Sequence, residues 1–339
     1  MNRKYLVDTL ELIKPALAKN DTVPVFQCFT FQDGFVTAYD DTIAIIGPTN
    51  CDLEFGVHGN TLLGLLSSSS AEEVDLSLDH KNDLVVKMGK STSRLPYIPS
   101  SDFIFEEPTA KWQMLSITVS LIEALQLCLE TVSSDETQLA LHGITIEGDT
   151  MYSCNGDTIT RIRLKNSIEK NRVLFPTAFC SAVVKFWGSL EMTKGQLQFT
   201  DEWVCANFDE WAVYGRVLEI KDPIDFDALI KRTMKGKAKT IQWPAELDEA
   251  LSRARVLADP ESERTDLTVA KNYIKLRTET SMGEVKDEFK ITEHPDITTM
   301  INAAHVQKAL KVCDQIAFLE NCTVLEKASA ILIIVSNMG

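Results

Sequence analysis

No apolar run in this sequence is long enough to cross a bilayer as a helix. The longest, residues 330–335, is a short stretch of Ala, Ile, Leu and Val, far below the roughly 18 residues a span requires, and it reads as a buried strand. Asp8 and Glu11 arrive before an apolar segment can build near the N-terminus, so no secretory signal peptide is expected. The cysteines, Cys28, Cys51, Cys128, Cys154, Cys180, Cys205, Cys313 and Cys322, include no C-x-x-C pair; they are expected to be reduced thiols of a cytoplasmic protein. Positive charge is also short. Against 49 Asp and Glu there are 34 Lys and Arg, a formal net charge of −15, so the chain is not built to hold nucleic acid by bulk attraction, although a local basic patch stays open.

Catalytic signatures are missing too. There is no H-E-x-x-H and no G-x-S-x-G, and the histidines, His58, His80, His142, His294 and His305, have no second ligand at helical spacing. Gly89-Lys90-Ser91 has the tail of a phosphate-binding loop, but Leu84 stands where that loop needs glycine, and the flanks read as strand and turn. Asp40-Asp41, aligned with Gly156-Asp157 further along, reads as a pair of turn residues. Neither metal nor cofactor is expected.

What is present is ordinary globular composition, 45% hydrophobic and 24% charged over 339 residues, enough for two or three domains. Three helical patterns open successive thirds: Leu6, Leu10, Ile13 and Leu17; Leu121, Leu125, Leu129 and Val132; Leu247, Leu251, Ala254 and Leu257. Pro15 is expected to kink the first, Ser120 with Glu123 to cap the second, and Pro244 to open the third. Each is followed by a hairpin, turning at Asp33-Gly34, Gly148-Asp149 and Lys271-Asn272. A second helix then follows, marked by Leu62 and Leu66, Phe179 and Val183, and Val306 and Leu310. Each third closes on strands such as residues 84–88, 204–208 and 331–335. The expected fold is α+β: three tandem similar domains, 1–112, 113–238 and 239–339, each with two helices packed on antiparallel sheets. The basic stretch 231–239 reads as the linker into the third.

In order along the chain, Leu12-Ile13-Lys14-Pro15-Ala16-Leu17 with Thr22-Val23-Pro24-Val25-Phe26, then Leu141-His142-Gly143-Ile144-Thr145-Ile146-Glu147, then Pro223-Ile224-Asp225-Phe226 resemble the bacterial-type DNA polymerase sliding clamp, the beta subunit of the replicative holoenzyme. The resemblance implies a non-enzymatic processivity factor. It further implies that two three-domain chains would pair head to tail as a homodimeric ring with the clamp fold, encircle duplex DNA without regard to sequence, and tether the replicative polymerase and the clamp loader through short linear peptides. Topology holds such a ring on DNA, so only its lining need be positive; the candidates are Lys14, Lys19, Lys185, Arg253, Arg255, Lys308 and Lys311.

Carried over position by position, the peptide cleft would use Leu141, then Cys154, Gly156, Asp157, Thr158 and Ile159, then Ile224, Ala228 and Leu229, with Val335 and Met338 as the last wall. The family's His-Arg pair is Asp157-Thr158 here, and its M-P-M-R-L ending is Val335-Ser336-Asn337-Met338-Gly339. These departures imply a different peptide preference and suggest a divergent, phage-encoded member. Two alternatives stay open at this stage: an α+β enzyme with a site assembled from dispersed residues around Cys154, Asp157 and His142, and a structural protein without nucleic-acid contact.

Overall fold

The computed structural model describes residues 1–19, 23–109, 112–135, 137–165, 168, 172–190, 192, 194–220, 222–234, 239–259, 264–328 and 331–336. One order of elements recurs three times. The first repeat runs α1 (Arg3–Ile13), β1 (Cys28–Gln32), β2 (Phe35–Tyr39), β3 (Ile43–Pro48), β4 (Phe55–His58), α2 (Gly59–Ser67), β5 (Asp75–Leu78), β6 (Asp83–Met88) and β7 (Ser91–Ile98). The second runs β8 (Gln113–Ile117), α3 (Val119–Leu129), β9 (Gly143–Glu147), β10 (Thr150–Cys154), β11 (Thr158–Arg163), β12 (Val173–Pro176), α4 (Thr177–Ser189), β13 (Gly195–Phe199), β14 (Trp203–Phe208) and β15 (Trp211–Arg216). A linking helix, α5 (Phe226–Thr233), precedes the third: β16 (Ile241–Gln242), α6 (Glu246–Leu257), β17 (Arg264–Ala270), β18 (Tyr273–Thr280), β19 (Gly283–Lys290), β20 (Ile297–Asn302), α7 (Ala303–Leu310), β21 (Gln315–Phe318), β22 (Cys322–Lys327) and β23 (Ile331–Ser336). Even the short leading strand has its trace in the first repeat, where Asn2 bridges Glu73 just ahead of β5.

Local chemistry explains the elements. Asn2 caps α1 by accepting from the Tyr5 amide at 2.9 Å, and Leu6, Leu10 and Ile13 bury one face. Pro15 lacks an amide proton, so the α-helix does not kink there but stops at Ile13 and tightens into a 3-10 turn over Lys14–Ala16. The cap of α3 is Thr118, whose hydroxyl accepts from the Leu121 amide at 3.2 Å; Ser120 lies inside the helix. Pro244 sits ahead of α6, whose N-cap is Ala245. The β1–β2 hairpin turns through Asp33 (φ 52°) and Gly34 (φ 79°), the left-handed pair that a two-residue turn requires.

The structure also refines the alignment of the first two repeats. Asp40 Oδ1 accepts from the Thr42 and Ile43 amides, and Asn155 Oδ1 accepts from those of Asp157 and Thr158. The next residue is left-handed in both turns, Asp41 at φ 78° and Gly156 at φ 96°. Asp40-Asp41 therefore corresponds to Asn155-Gly156, one position earlier than the sequence alone suggests; the side-chain turn, rather than the shared aspartate, sets the register.

Strand pairing ties successive repeats together. The sheet orders are β5-β6-β7-β4-β1-β2-β3-β15-β14-β13-β8, then β12-β9-β10-β11-β23-β22-β21-β16, then β19-β18-β17-β20. The third strand of one repeat's hairpin system meets the last strand of the next repeat: β3 pairs with β15, and β11 with β23. Two compact units result, each discontinuous in sequence. One comprises Met1–Glu123 and Phe175–Leu218, the other Ala124–Leu174 and Glu219–Gly339. The second repeat is thus shared between them.

In the second unit a polar knot sits inside the core. The Thr131 hydroxyl lies 2.5 Å from Ser153 Oγ and 2.9 Å from Thr160 Oγ1, and Ser153 and Thr160 are fully buried. Thr131→Val keeps the shape but takes from the buried Thr160 hydroxyl its hydrogen-bond partner and leaves Ser153 with the Cys128 thiol. It is expected to lower stability by about 1–3 kcal/mol, read as an earlier midpoint in urea denaturation; an unchanged midpoint would show that the two remaining hydroxyls satisfy each other.

Candidate functional site

Alternation along β10, β11, β22 and β23 puts Cys154, Ile159, Ile334 and Val324 in one row across one face of the second unit's larger sheet, each opposite the next in the strand register. Tyr152, Leu319, Cys322 and Leu332 extend the same apolar cluster. Over it lies α5, begun by Asp225, whose carboxylate accepts from the Ala228 amide at 2.9 Å. From this helix Phe226 stacks on Tyr152, centroids 4.8 Å apart and planes within 8°, and Ile230 is buried alongside. Leu141, Ile224, Leu229 and Met234 form a half-buried apolar rim. Burial, together with the nearby Asp227 carboxylate, raises the Tyr152 hydroxyl above its ordinary pKa. At one end the Gly156 amide donates to Cys154 Sγ at 3.3 Å, and the Ser336 amide to the Asp157 carbonyl at 2.7 Å. At the other, the Asn321 side-chain amide donates to the Thr233 carbonyl, tying α5 down.

Of the cleft residues expected from sequence, Leu141, Cys154, Ile159, Ile224 and Leu229 come together in this cluster. Gly156 and Asp157 are exposed in the turn beside it, and Ala228 is exposed on α5. Thr158 and Val335 are cross-strand partners on the opposite, helix-facing side: Thr158 Oγ1 lies 3.3 Å from His305 Nδ1 of α7, and Val335 packs into the core beneath α6 and α7. Met338 lies outside the described residues. Tyr152, Phe226, Ile230, Met234, Leu319, Leu332 and Ile334 were not anticipated. In residues 331–335 every side chain is apolar, so sequence carries no sign of which alternate set, Leu332 and Ile334 or Ile331, Ile333 and Val335, meets the linking helix.

The candidate DNA-facing cations are all exposed. Lys14 lies 3.8 Å from Glu11, and Lys185 donates to the Glu11 carbonyl at 3.3 Å, so the two gather at one helix end. Lys19 follows the 3-10 turn, and Lys311 caps the C-terminal end of α7. Arg255 donates to Gln307 Oε1 at 2.9 Å, Lys308 lies 3.2 Å from Glu130, and Arg253 is engaged by Asp287 of β19 at 2.7 Å and by Glu249 at 3.7 Å. Of the basic stretch 231–239, residues 235–238 lie outside the described set.

The residues named for the dispersed-enzyme alternative do not form an activated nucleophile. Cys154 is buried and its thiol is pushed up by burial, the reverse of what a reactive thiolate needs, and His142 Nδ1 lies 2.9 Å from the Ser133 carbonyl. Among the described residues no group of three or more His, Cys, Asp and Glu side chains is placed to hold a metal ion.

Two helices and two strand systems per repeat, three repeats in tandem, and sheets that run from one repeat into the next define the fold of the bacterial DNA polymerase sliding clamps. Solved structures that share it over this entire chain are beta subunits of DNA polymerase III: one from Thermotoga maritima (20% identity, 98% of that chain covered, TM-score 0.84), a candidate beta subunit from Eubacterium rectale (14%, 98%, 0.87), and the sliding clamp of Pseudomonas aeruginosa bound to griselimycin (16%, 98%, 0.85). No protein-family model matches the sequence, and no curated protein sequence matches it either.

Proposed function

We propose that the protein is a DNA sliding clamp: a non-enzymatic, cytoplasmic processivity factor of three domains, 1–112, 113–238 and 239–339, whose head-to-tail homodimer encircles duplex DNA and tethers a replicative polymerase and a clamp loader. The observation that carries this reading is the pattern of free strand edges within a fold shared end to end with sliding clamps. In repeats one and two the third strand is capped by the last strand of the following repeat. In repeat three the equivalent strand, β19, is paired among the described residues to β18 alone. In repeat one the last strand, β7, is paired to β6 along its length and to β4 at Tyr97 and Ile98, so that among the described residues no strand covers the edge of residues 91–96.

Both strands alternate between exposed and half-buried positions, whereas β3, β15, β11 and β23 are mostly buried, as expected of strands that already have their neighbour. A β7–β19 pair between two chains supplies the third junction of the same kind, and two such pairs close a heterologous dimer. Exposed apolar side chains flank that edge: Val256 is 76% exposed at the end of α6, and Met282 is 68% exposed in the β18–β19 turn. Closure explains how a chain of net charge −15 serves on DNA, because a topological link needs only a local positive lining, for which Lys14, Lys19, Lys185, Arg255, Lys308 and Lys311 are the candidates and Arg253 the one most engaged by carboxylates. Partner peptides would enter the cleft rimmed by Leu141, Ile224, Leu229 and Met234.

The test is retention. After incubation with nicked circular DNA and gel filtration in moderate salt, the protein should travel with the circle and leave it when a restriction enzyme linearises it. Equal loss from circle and line, or a monomeric mass by light scattering, would reject the ring.

A further inference from the structure

The two junctions between successive repeats are built alike, residue for residue. Across the first, Tyr39, Ala44, Tyr214 and Cys205 stand opposite one another in a single row; across the second the row is Cys154, Ile159, Ile334 and Val324. The side-chain turn at Asp40 or at Asn155 follows the first member of each. All eight residues are buried. Each row is covered by the segment that leads out of one repeat into the next. Over the second this is α5 with its half-buried rim; over the first it is the extended stretch 103–107.

That stretch behaves as a bound peptide. Phe103 and Phe105 pack into the cluster around Tyr39 and Tyr214, while Ile104 and Glu106 are exposed, the alternation of a ligand lying extended on a sheet. The Phe105 ring is 5.0 Å from Tyr39, 5.4 Å from Tyr214 and 5.9 Å from Trp203. The Tyr214 hydroxyl donates to Glu107 Oε2 at 2.8 Å.

We propose that the β3–β15 junction is a second peptide-docking groove and that residues 103–107 are its resident ligand, supplied by the chain itself. The groove takes an extended peptide with aromatic side chains at i and i+2 and a carboxylate at i+4. Tethered at both ends, the resident segment acts at high effective concentration, so a free peptide enters only when the aromatic anchors are removed. The consequence, which rests on the clamp reading, is that each chain offers partners one cleft where its architecture holds two.

The probe is a fluorescein-labelled peptide of residues 101–108, titrated by anisotropy into chains carrying Leu141→Asp and Leu229→Asp, so that the cleft under α5 cannot answer. Adding Phe103→Ala and Phe105→Ala should tighten binding at least tenfold over the chain that keeps both rings, with a change in Trp203 emission on binding. Phe105→Leu, which preserves an apolar cover, should give an intermediate gain and decides the matter if the double alanine chain loses its far-ultraviolet spectrum. No gain in either folded variant overturns the proposal. Because this readout involves neither ring closure nor DNA, failure of the clamp reading would appear separately, in the retention assay.

Discussion

A chain carrying Val256→Asp and Met282→Glu is expected to be a monomer. Both side chains are largely exposed in the single chain, where exchanging an exposed residue normally changes stability by no more than about 0.5 kcal/mol, so its urea midpoint should stay close to that of the parent. At a β7–β19 junction, however, both would be covered. Burying an aliphatic side chain gains about 1.5–3 kcal/mol, and a carboxylate in its place must either be desolvated or hold the surfaces apart. A loss of about 3 kcal/mol at one junction corresponds to roughly 150-fold in affinity. A closed dimer suffers that loss twice, so the dissociation constant should rise by about four orders of magnitude. Light scattering against concentration measures the first effect, and loss of retention on nicked circular DNA the second. A dimer of undiminished affinity would place the contact elsewhere on the molecule.

The sequence exposes the repeat because each copy must satisfy the same local demands. Leu6, Leu10 and Ile13, or Leu247, Leu251 and Ala254, are spaced for one helical face, and all six are buried as that spacing requires; Asp33-Gly34 can hardly be anything but a tight turn. What sequence hides is the partnership between distant strands. Nothing local in Ile43-Ala44-Ile45-Ile46 marks it as the neighbour of Ala212-Val213-Tyr214-Gly215, because a strand buried on both faces presents one continuous apolar run whichever strand it meets. The candidate site suffers from the same loss. Alternation normally sorts a strand into two faces, but residues 331–335 are apolar throughout, so Val335 was expected in the cleft while Ile334 is the residue that faces it. Capping is subtler still: Thr118 and Ser120 are both good caps by type, and only the position of the first turn distinguishes them.

The second large effect is expected at the rim of the cleft under α5. Leu141 and Leu229 are half-buried there, so an aspartate at either position can turn its carboxylate to water and the chain still folds. Ile334, 1% exposed, offers no such escape, and Ile334→Asp would test folding instead of binding. A docking peptide that seats apolar anchors between Leu141 and Leu229 would meet two fixed negative charges in a site it must dry, at a cost of about 3 kcal/mol or more. Leu141→Asp with Leu229→Asp should therefore weaken, by at least about 100-fold, the tightest binder drawn from a labelled pentapeptide set that alternates apolar anchors for an extended pose and ends on an aromatic to meet Tyr152 and Phe226. Dimer mass and retention on circular DNA should not change, since neither residue lies on β7 or β19. Loss of all three properties together would mean that the substitutions had damaged the fold, and unchanged peptide affinity would move the docking site away from α5.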